Sequence, residues 1–130
     1  MTIETHQINH KAIAEVISDA YLIKTAEDAL DLLGNLYYQG FDGAILHEQN
    51  LTPNFFDLKN GLAGEILQKF SNYRFRLAIV GDFTPYTGKS IRDFIRESNR
   101  IGHISFSNSI AEALAKFGQP PITHPPILYP

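Results

Sequence analysis

The chain has 130 residues, the usual length of one domain, and 44% of them are hydrophobic, which argues against disorder over most of its length. The formal net charge of −3 argues against non-specific binding to nucleic acid, and the absence of cysteine excludes disulfides, thiolate catalysis and cysteine-ligated zinc. Because there is no apolar run long enough for a signal peptide or a membrane span, we expect a soluble, cytoplasmic protein.

A hairpin and a helix are predicted first along the chain. Ile3 to Ile8 and Lys11 to Ile17 have the pattern of strands, and the polar pair Asn9-His10 between them favours a turn. Thr25 is a predicted N-cap, and apolar residues then recur at helical spacing until Gln39-Gly40. They are Ala26, Ala29, Leu30, Leu33, Leu36 and Tyr37.

Short apolar runs with no alternation follow, each paired with a helical pattern. Ala44 to Leu46 and Leu77 to Val80 are typical of strands buried on both faces, as in a parallel sheet. Between them, Thr52-Pro53 has the form of a helix start, and Asn60-Gly61 can divide the helix into a lead-in turn and a longer part. The helical pattern includes Leu58, Leu62, Ile66, Leu67 and Phe70.

The last predicted elements are a helix, a strand and a helix. Ser90 is the predicted N-cap of a helix that carries Ile91, Phe94 and Ile95, and His103 to Phe106 is the strand. Ile110, Ala113, Leu114 and Phe117 lie on the closing helix. The order β-β-α-β-α-β-α-β-α predicts an α/β fold with a leading hairpin and a mixed, mostly parallel sheet of about five strands with about four helices.

The domain is predicted to end at Gly118, and a proline-rich tail occupies residues 119–130. Five prolines in this tail favour polyproline II and give it no fold of its own. We expect the tail, where it is ordered, to rest on its own domain or on a neighbouring chain.

The segment from Gly81 to Ser90 follows a buried strand and ends in Gly-Lys-Ser, as a phosphate-binding loop does. Its glycines are separated by six residues rather than four, and one of these is Pro85, which has no N–H to offer a phosphate. A weaker hypothesis is that N–H groups near Ser90, with Lys89 and Arg92, attract an anion, and we place Tyr86 in the same site. The alternative is a capped surface helix.

Arg92, Arg96 and Arg100 lie four residues apart and form one stripe on the predicted helix. Such a stripe can bind phosphate or a carboxylate-rich partner. Asp93 and Glu97 are interleaved with it and can neutralise it, so the pattern favours a solvated face over a docking surface.

Polar residues follow the predicted parallel strands at the edge where α/β proteins usually bind ligands. His47, Glu48 and Asn50 come after one strand, and Asp82 comes after the next. His47, Glu48 and Asp82 could transfer protons, but no His-x-His or His-Glu-x-x-His spacing indicates a metal. We therefore predict no metal site and no cofactor.

Two phenylalanines and a charged segment come between these strands. Phe55 and Phe56 are interpreted as core or interface residues, because their rings are too few for a base-stacking platform. Asp57 and Lys59 lie near the glycines that let the helix approach its neighbours, and they complete the set of candidate binding residues.

The stretch "AILHEQNLTPNFFDLKNGLAGEILQKFSNYRFRLAIVGDF", with "DALDLLGNLYYQG", "SIRDFIRESNR" and "AEALAKF", resembles a family of small bacterial proteins known as a domain of unknown function. The resemblance covers residues 3–117 and leaves the proline-rich tail outside. More distantly, the layout is similar to the STAS-like fold of anti-sigma-factor antagonists and sulfate-transporter tails.

In regulatory members of the STAS-like fold, a strand is followed by Asp-Ser-Ser-Gly-Leu, and the serine is phosphorylated to switch partner binding. The comparable segment here, Asp57 to Leu62, reads DLKNGL and has no serine. The resemblance therefore implies binding without this phosphoswitch. The "AIVGD" strand and the closing "EAL" helix are similar to lipid-binding versions of the fold, which implies a small apolar ligand or a protein partner.

Two functions are predicted from these observations. The first is a regulatory or binding domain without enzymatic activity, which forms homo-oligomers, for example a dimer. The alternative is a small enzyme that uses His47, Glu48 and Asp82 on an anionic substrate held near Lys89 and Ser90. No nucleic-acid partner is predicted for either.

Overall fold

A computed structural model describes residues 1–120 and places their five strands in one sheet, in the order β1-β2-β3-β4-β5. The first pair of strands is antiparallel and the other pairs are parallel. The predicted α/β class and mixed, mostly parallel sheet are therefore confirmed. The strands are β1 (Thr2–Ile8), β2 (Lys11–Ile17), β3 (Gly43–His47), β4 (Arg76–Val80) and β5 (Ile104–Ser107), and the α-helices are α1 (Ala26–Tyr38), α2 (Leu62–Asn72), α3 (Lys89–Ile101) and α4 (Ile110–Phe117).

The hairpin turn sets the register between β1 and β2. Asn9 and His10 both have positive φ angles, 49° and 67°, as the favoured two-residue hairpin turns require. Ile8 consequently pairs with Lys11, and further along the ladder Glu4 stands directly opposite Glu15.

Each face of the sheet carries its own apolar cluster, because successive residues of a strand point to opposite sides. In β4, Leu77 and Ile79 belong to the larger cluster, which α1, α2 and α3 cover. Ala78 and Val80 belong to the smaller cluster, which α4 covers through Ala113 and Phe117. The carboxyl ends of β3 and β4 therefore lie at one edge of a sheet with helices on both faces.

The helix boundaries confirm some of the predicted caps and correct one. The Thr25 hydroxyl accepts a 3.1 Å hydrogen bond from the N–H of Asp28, as predicted for an N-cap. Gly61 has a φ of 77° and separates α2 from two short 3₁₀ turns, Pro53–Phe56 and Leu58–Asn60. The prediction that Ser90 caps the next helix is wrong, because extended Gly88 is the N-cap and Ser90 already lies in the first turn of α3.

Arg76 fixes the end of α4 against the start of β4. Its guanidinium donates to the carbonyl oxygens of Gly102, Lys116, Phe117 and Gln119 at 2.7 to 3.3 Å. The last carbonyls of a helix have no partners within the helix, so this one side chain satisfies several of them. Burial lowers the pKa of Arg76 from its ordinary value.

The charged face of α3 is paired along its own length. Asp93 binds both Lys89 and Arg96 at 2.6 Å, and Glu97 binds Arg100. These pairs confirm the interpretation of a solvated, self-neutralised face, on which exposed ion pairs contribute little stability.

No helix within residues 1–120 is long and apolar enough to cross a membrane. Helix α4 ends at Phe117 with Gly118 as its C-cap. Most of the predicted proline-rich tail, residues 121–130, lies outside the described residues.

Candidate functional site

A cavity of about 700 Å³ opens at the carboxyl ends of β3 and β4. This is the edge at which open α/β sheets bind their ligands. Its walls come from three segments, which follow β2, β3 and β4. The lining residues are Asp19, Tyr21, His47, Glu48, Gln49, Leu51, Pro53, Phe56, Val80, Gly81 and Tyr86.

Asn50 stabilises the part of the cavity that is formed by the segment after β2. It is fully buried, and its amide nitrogen donates to the carbonyl oxygens of Ser18 at 2.8 Å and Ala20 at 3.0 Å. Its side-chain oxygen accepts from the N–H of His47 at 3.0 Å. Asn50 therefore connects the end of β3 to the segment that carries Asp19, and its role is structural support of the cavity.

Glu48 and Tyr86 close the opposite side of the cavity. The Tyr86 hydroxyl donates a 2.9 Å hydrogen bond to Oε2 of Glu48. Burial, followed by the hydrogen bond and the negative charge of Glu48, raises the pKa of Tyr86 to about 12. A side chain at Gly81 would leave no room for this arrangement, because an added Cβ would lie 2.6 Å from both Cβ and Oε1 of Glu48.

Aromatic rings form a continuous wall beside these polar groups. Phe56 stacks on Tyr86 with 4.6 Å between ring centroids and 23° between planes, and Phe83 contacts both rings. Tyr21 also lines the cavity and is half exposed. The lining carries two carboxylates, Asp19 and Glu48, and contains no Lys or Arg among the described residues.

His47 lies between the cavity and a buried carboxylate. Its Nε2 is 3.9 Å from Oε2 of Glu15, whose other oxygen is 2.8 Å from Nε2 of His6. Glu15 is only 8% exposed. The distance to His47 is too long for a hydrogen bond, so the pair is a loose electrostatic contact.

The predicted group of His47, Glu48 and Asp82 is only partly assembled. His47 and Glu48 line the cavity, but Asp82 does not. The Asp82 carboxylate accepts hydrogen bonds from the N–H and the hydroxyl of Thr84 at 3.0 and 2.7 Å, which lower its pKa. Its exposed carboxylate is therefore turned to its own loop.

Several other candidate residues meet in a second hollow between α3 and the 3₁₀ turns. Phe56, Asp57, Lys59 and Ser90 line it, and the Asp57 side chain accepts from the N–H of Lys59 at 3.3 Å. Phe55 is fully buried in the core, where a partner cannot reach it.

Lys89 and Arg92 do not line the strand-end cavity or the second hollow. Lys89 is paired with Asp93. Exposed Arg92 lines a third, shallow hollow beside Phe83 and Tyr86. Ser90 and Arg92 therefore line different hollows, whereas Asp93, the partner of Lys89, lines the same hollow as Ser90.

Sequence reasoning missed Asp19, Tyr21 and Glu15. The first two lie in an irregular segment after β2 that shows no periodic pattern. The pairing of Ile23 with Leu51 brings this segment to the strand ends. Glu15 carried a signal, because a carboxylate among Ile13, Ala14 and Val16 in a strand suggests a buried charge with a specific partner.

A family model described as "Domain of unknown function (DUF4180)" matches residues 8–117. The chain belongs to this family. The DUF4180 match includes every element from β2 to α4 and thus all the residues that line the strand-end cavity. No match was found among curated proteins or among solved structures.

Proposed function

We propose that this DUF4180 chain is a binding domain without enzymatic activity, and that its strand-end cavity takes a small organic cation. The observation that carries the proposal is the composition of the lining. Two carboxylates, Asp19 and Glu48, face the cavity together with the rings of Tyr21, Phe56 and Tyr86. Aromatic faces and carboxylates both attract cations, and a quaternary or protonated amine satisfies both at once.

The same lining argues against the anionic ligand expected from the sequence. An anion in this cavity would lie beside two carboxylates, and Lys89 is engaged with Asp93 on α3. A wholly apolar ligand would leave the polar oxygens of the cavity without partners, which costs free energy. A cation with an apolar body would pair with the carboxylates and would also contact the aromatic rings of the cavity.

The alternative of a small enzyme is favoured by a single observation, the position of His47 between the cavity and Glu15. A carboxylate behind an imidazole is a common way to orient a general base. His47 is 3.9 Å from Glu15, and Asp82 binds Thr84 instead of joining His47. The arrangement therefore supports an enzyme less strongly than the cavity lining supports a binding domain.

The biological setting belongs to the same proposal. We infer a regulatory domain of a bacterial, cytoplasmic protein, similar to STAS-like domains, that acts through ligand or protein binding and forms homo-oligomers. Removal of residues 119–130 tests the role of the proline-rich tail in self-association. A lower mass in solution than that of the full chain would support it, and an unchanged mass would contradict it.

Nuclear magnetic resonance tests the ligand class directly. A panel of small quaternary and primary ammonium compounds, with inorganic phosphate as the anionic comparison, would be added to ¹⁵N-labelled full-length protein. We expect saturable shifts centred on Tyr21, Glu48, Gly81 and Tyr86 with at least one ammonium compound. Shifts with phosphate alone, or none in the cavity with any compound, would contradict the proposal.

A further inference from the structure

A second cluster of ligand-forming side chains lies on the hairpin, outside the cavity lining. Glu4, His6 and Glu15 each bring one nitrogen or oxygen atom to within 4.8 Å of the other two. Glu4 and His6 are two residues apart on β1, so they point to the same face, and Glu15 stands opposite Glu4 on β2. The pairing of the two strands therefore creates the cluster.

The charge of this cluster needs compensation. Glu4 and Glu15 are directly opposite on antiparallel strands, an arrangement in which like charges are destabilising. Glu15 is also buried, and His6, at 2.8 Å, is its close partner within the cluster. A divalent cation would neutralise both carboxylates at once.

We propose that Glu4, His6 and Glu15 form a binding site for a divalent first-row metal ion, with zinc the best fit. One imidazole and two carboxylates are ligands that zinc takes, and three protein ligands leave a position open for water or a substrate. Around a tetrahedral zinc ion, ligand atoms lie about 3.4 Å apart. The 2.8 Å contact between His6 and Glu15 would therefore widen by about half an ångström.

His47 supplies a second, independent feature of the site. It lies 3.9 Å from Oε2 of Glu15, the carboxylate oxygen other than the one that His6 contacts. Carboxylates that bind metals are commonly held by outer partners, which fix their orientation. At 3.9 Å the His47 ring is too far from Glu15 for a hydrogen bond, so it is a loose outer contact between the metal site and the cavity. The metal site does not depend on the proposed cation ligand.

Calorimetric titration of the metal-free full-length protein with zinc chloride tests the site. We expect one zinc ion per chain and a loss of affinity of at least about tenfold in Glu15→Gln and in His6→Ala. His10→Asn and Glu27→Gln are matched controls, because they remove a histidine and a carboxylate at exposed positions, and asparagine tolerates the positive φ of the hairpin turn. Affinity unchanged in the first two variants, or lowered equally in the controls, would overturn the proposal.

A third variant keeps the test decisive if burial makes Glu15→Gln unstable. Glu4 is exposed on the edge strand, so Glu4→Gln should fold and still lose zinc affinity. Cobalt can replace zinc as a spectroscopic probe, and its visible absorption should change in His6→Ala but not in His10→Asn. Identical cobalt spectra in the two histidine variants would contradict the assignment of His6 as a ligand.

Discussion

The hydrogen bond from the Tyr86 hydroxyl to Glu48 joins the loop after β4 to the turn after β3 over a distance of 2.9 Å. These two residues are 38 residues apart in the chain, and both line the same cavity. Because the acceptor is a carboxylate and the donor is partly buried, the bond fixes the position of the charge that we propose the ligand meets.

Replacement of Tyr86 by Phe tests the importance of this bond. We expect the free energy of unfolding to fall by about 1 kcal/mol, because the ring stays stacked on Phe56 while Glu48 loses a partner. Chemical denaturation measures the change. Tyr73→Phe is the control, since Tyr73 is exposed on the far end of α2, and an equal loss there would show that the bond is unimportant.

Tyr86 should also make stability depend on alkaline pH. Its pKa rises from 10.0 to about 12 in the folded protein, so folding favours the neutral phenol. The resulting contribution to stability is complete below about pH 10 and is lost as the pH rises towards about 12. Tyrosinate absorbance should therefore show one late-titrating group that is missing in Tyr86→Phe. A titration with the same number of late groups in both proteins would contradict the assignment.

Substitution of Gly81 by Ala should displace Glu48. The new methyl group would lie 2.6 Å from Glu48 atoms, so we expect a loss of about 1–3 kcal/mol in stability and weaker ligand binding. Gly34→Ala is a matched control, because Gly34 lies within α1 with no atom near the position of an added Cβ. The free energy of unfolding of Gly34→Ala should rise by up to about 1 kcal/mol, because alanine favours the helix more than glycine does. The expectation fails if both variants keep the stability and the ligand affinity of the original protein.

Asn50→Ala should loosen the wall that carries Asp19. The substitution removes three hydrogen bonds and leaves partly buried backbone groups without these partners, which costs about 2–3 kcal/mol. We expect faster exchange of the amide hydrogens of Leu22 and Ile23, which donate to the backbone carbonyl of Asn50 and lie in the loosened segment. Asn35→Ala, at an exposed position on α1, provides the comparison. Exchange that is equally slow in both variants would count against the supporting role of Asn50.

The sequence predicted the sheet well because its strands are either buried on both faces or joined by a short turn. Ala44 to Leu46 and Leu77 to Val80 have no polar residue, and such a run is typical of a strand between two helical layers. The wrong cap at Ser90 has a simple cause. Gly88 can take the extended N-cap conformation without a side-chain hydrogen bond, so the preference for serine at such positions did not decide the helix start.

The candidate site was harder to predict because it depends on contacts between distant segments. His47 and Glu48 were found by their place after a strand, whereas Asp19 and Tyr21 reach the cavity through the bonds that Asn50 makes. The cluster of Glu4, His6 and Glu15 on the hairpin could have been predicted from the sequence. A two-residue turn at Asn9-His10 already places Glu4 opposite Glu15.

The most direct test of the central claim compares choline with 3,3-dimethyl-1-butanol, its uncharged analogue of nearly the same shape. Calorimetric titration of the full-length protein would give both affinities. The proposed cavity, with Asp19, Glu48 and its aromatic wall, predicts that choline binds about tenfold more tightly and that Glu48→Gln removes most of this difference. Equal affinities for the two compounds, or a preference for the uncharged one, would contradict the account.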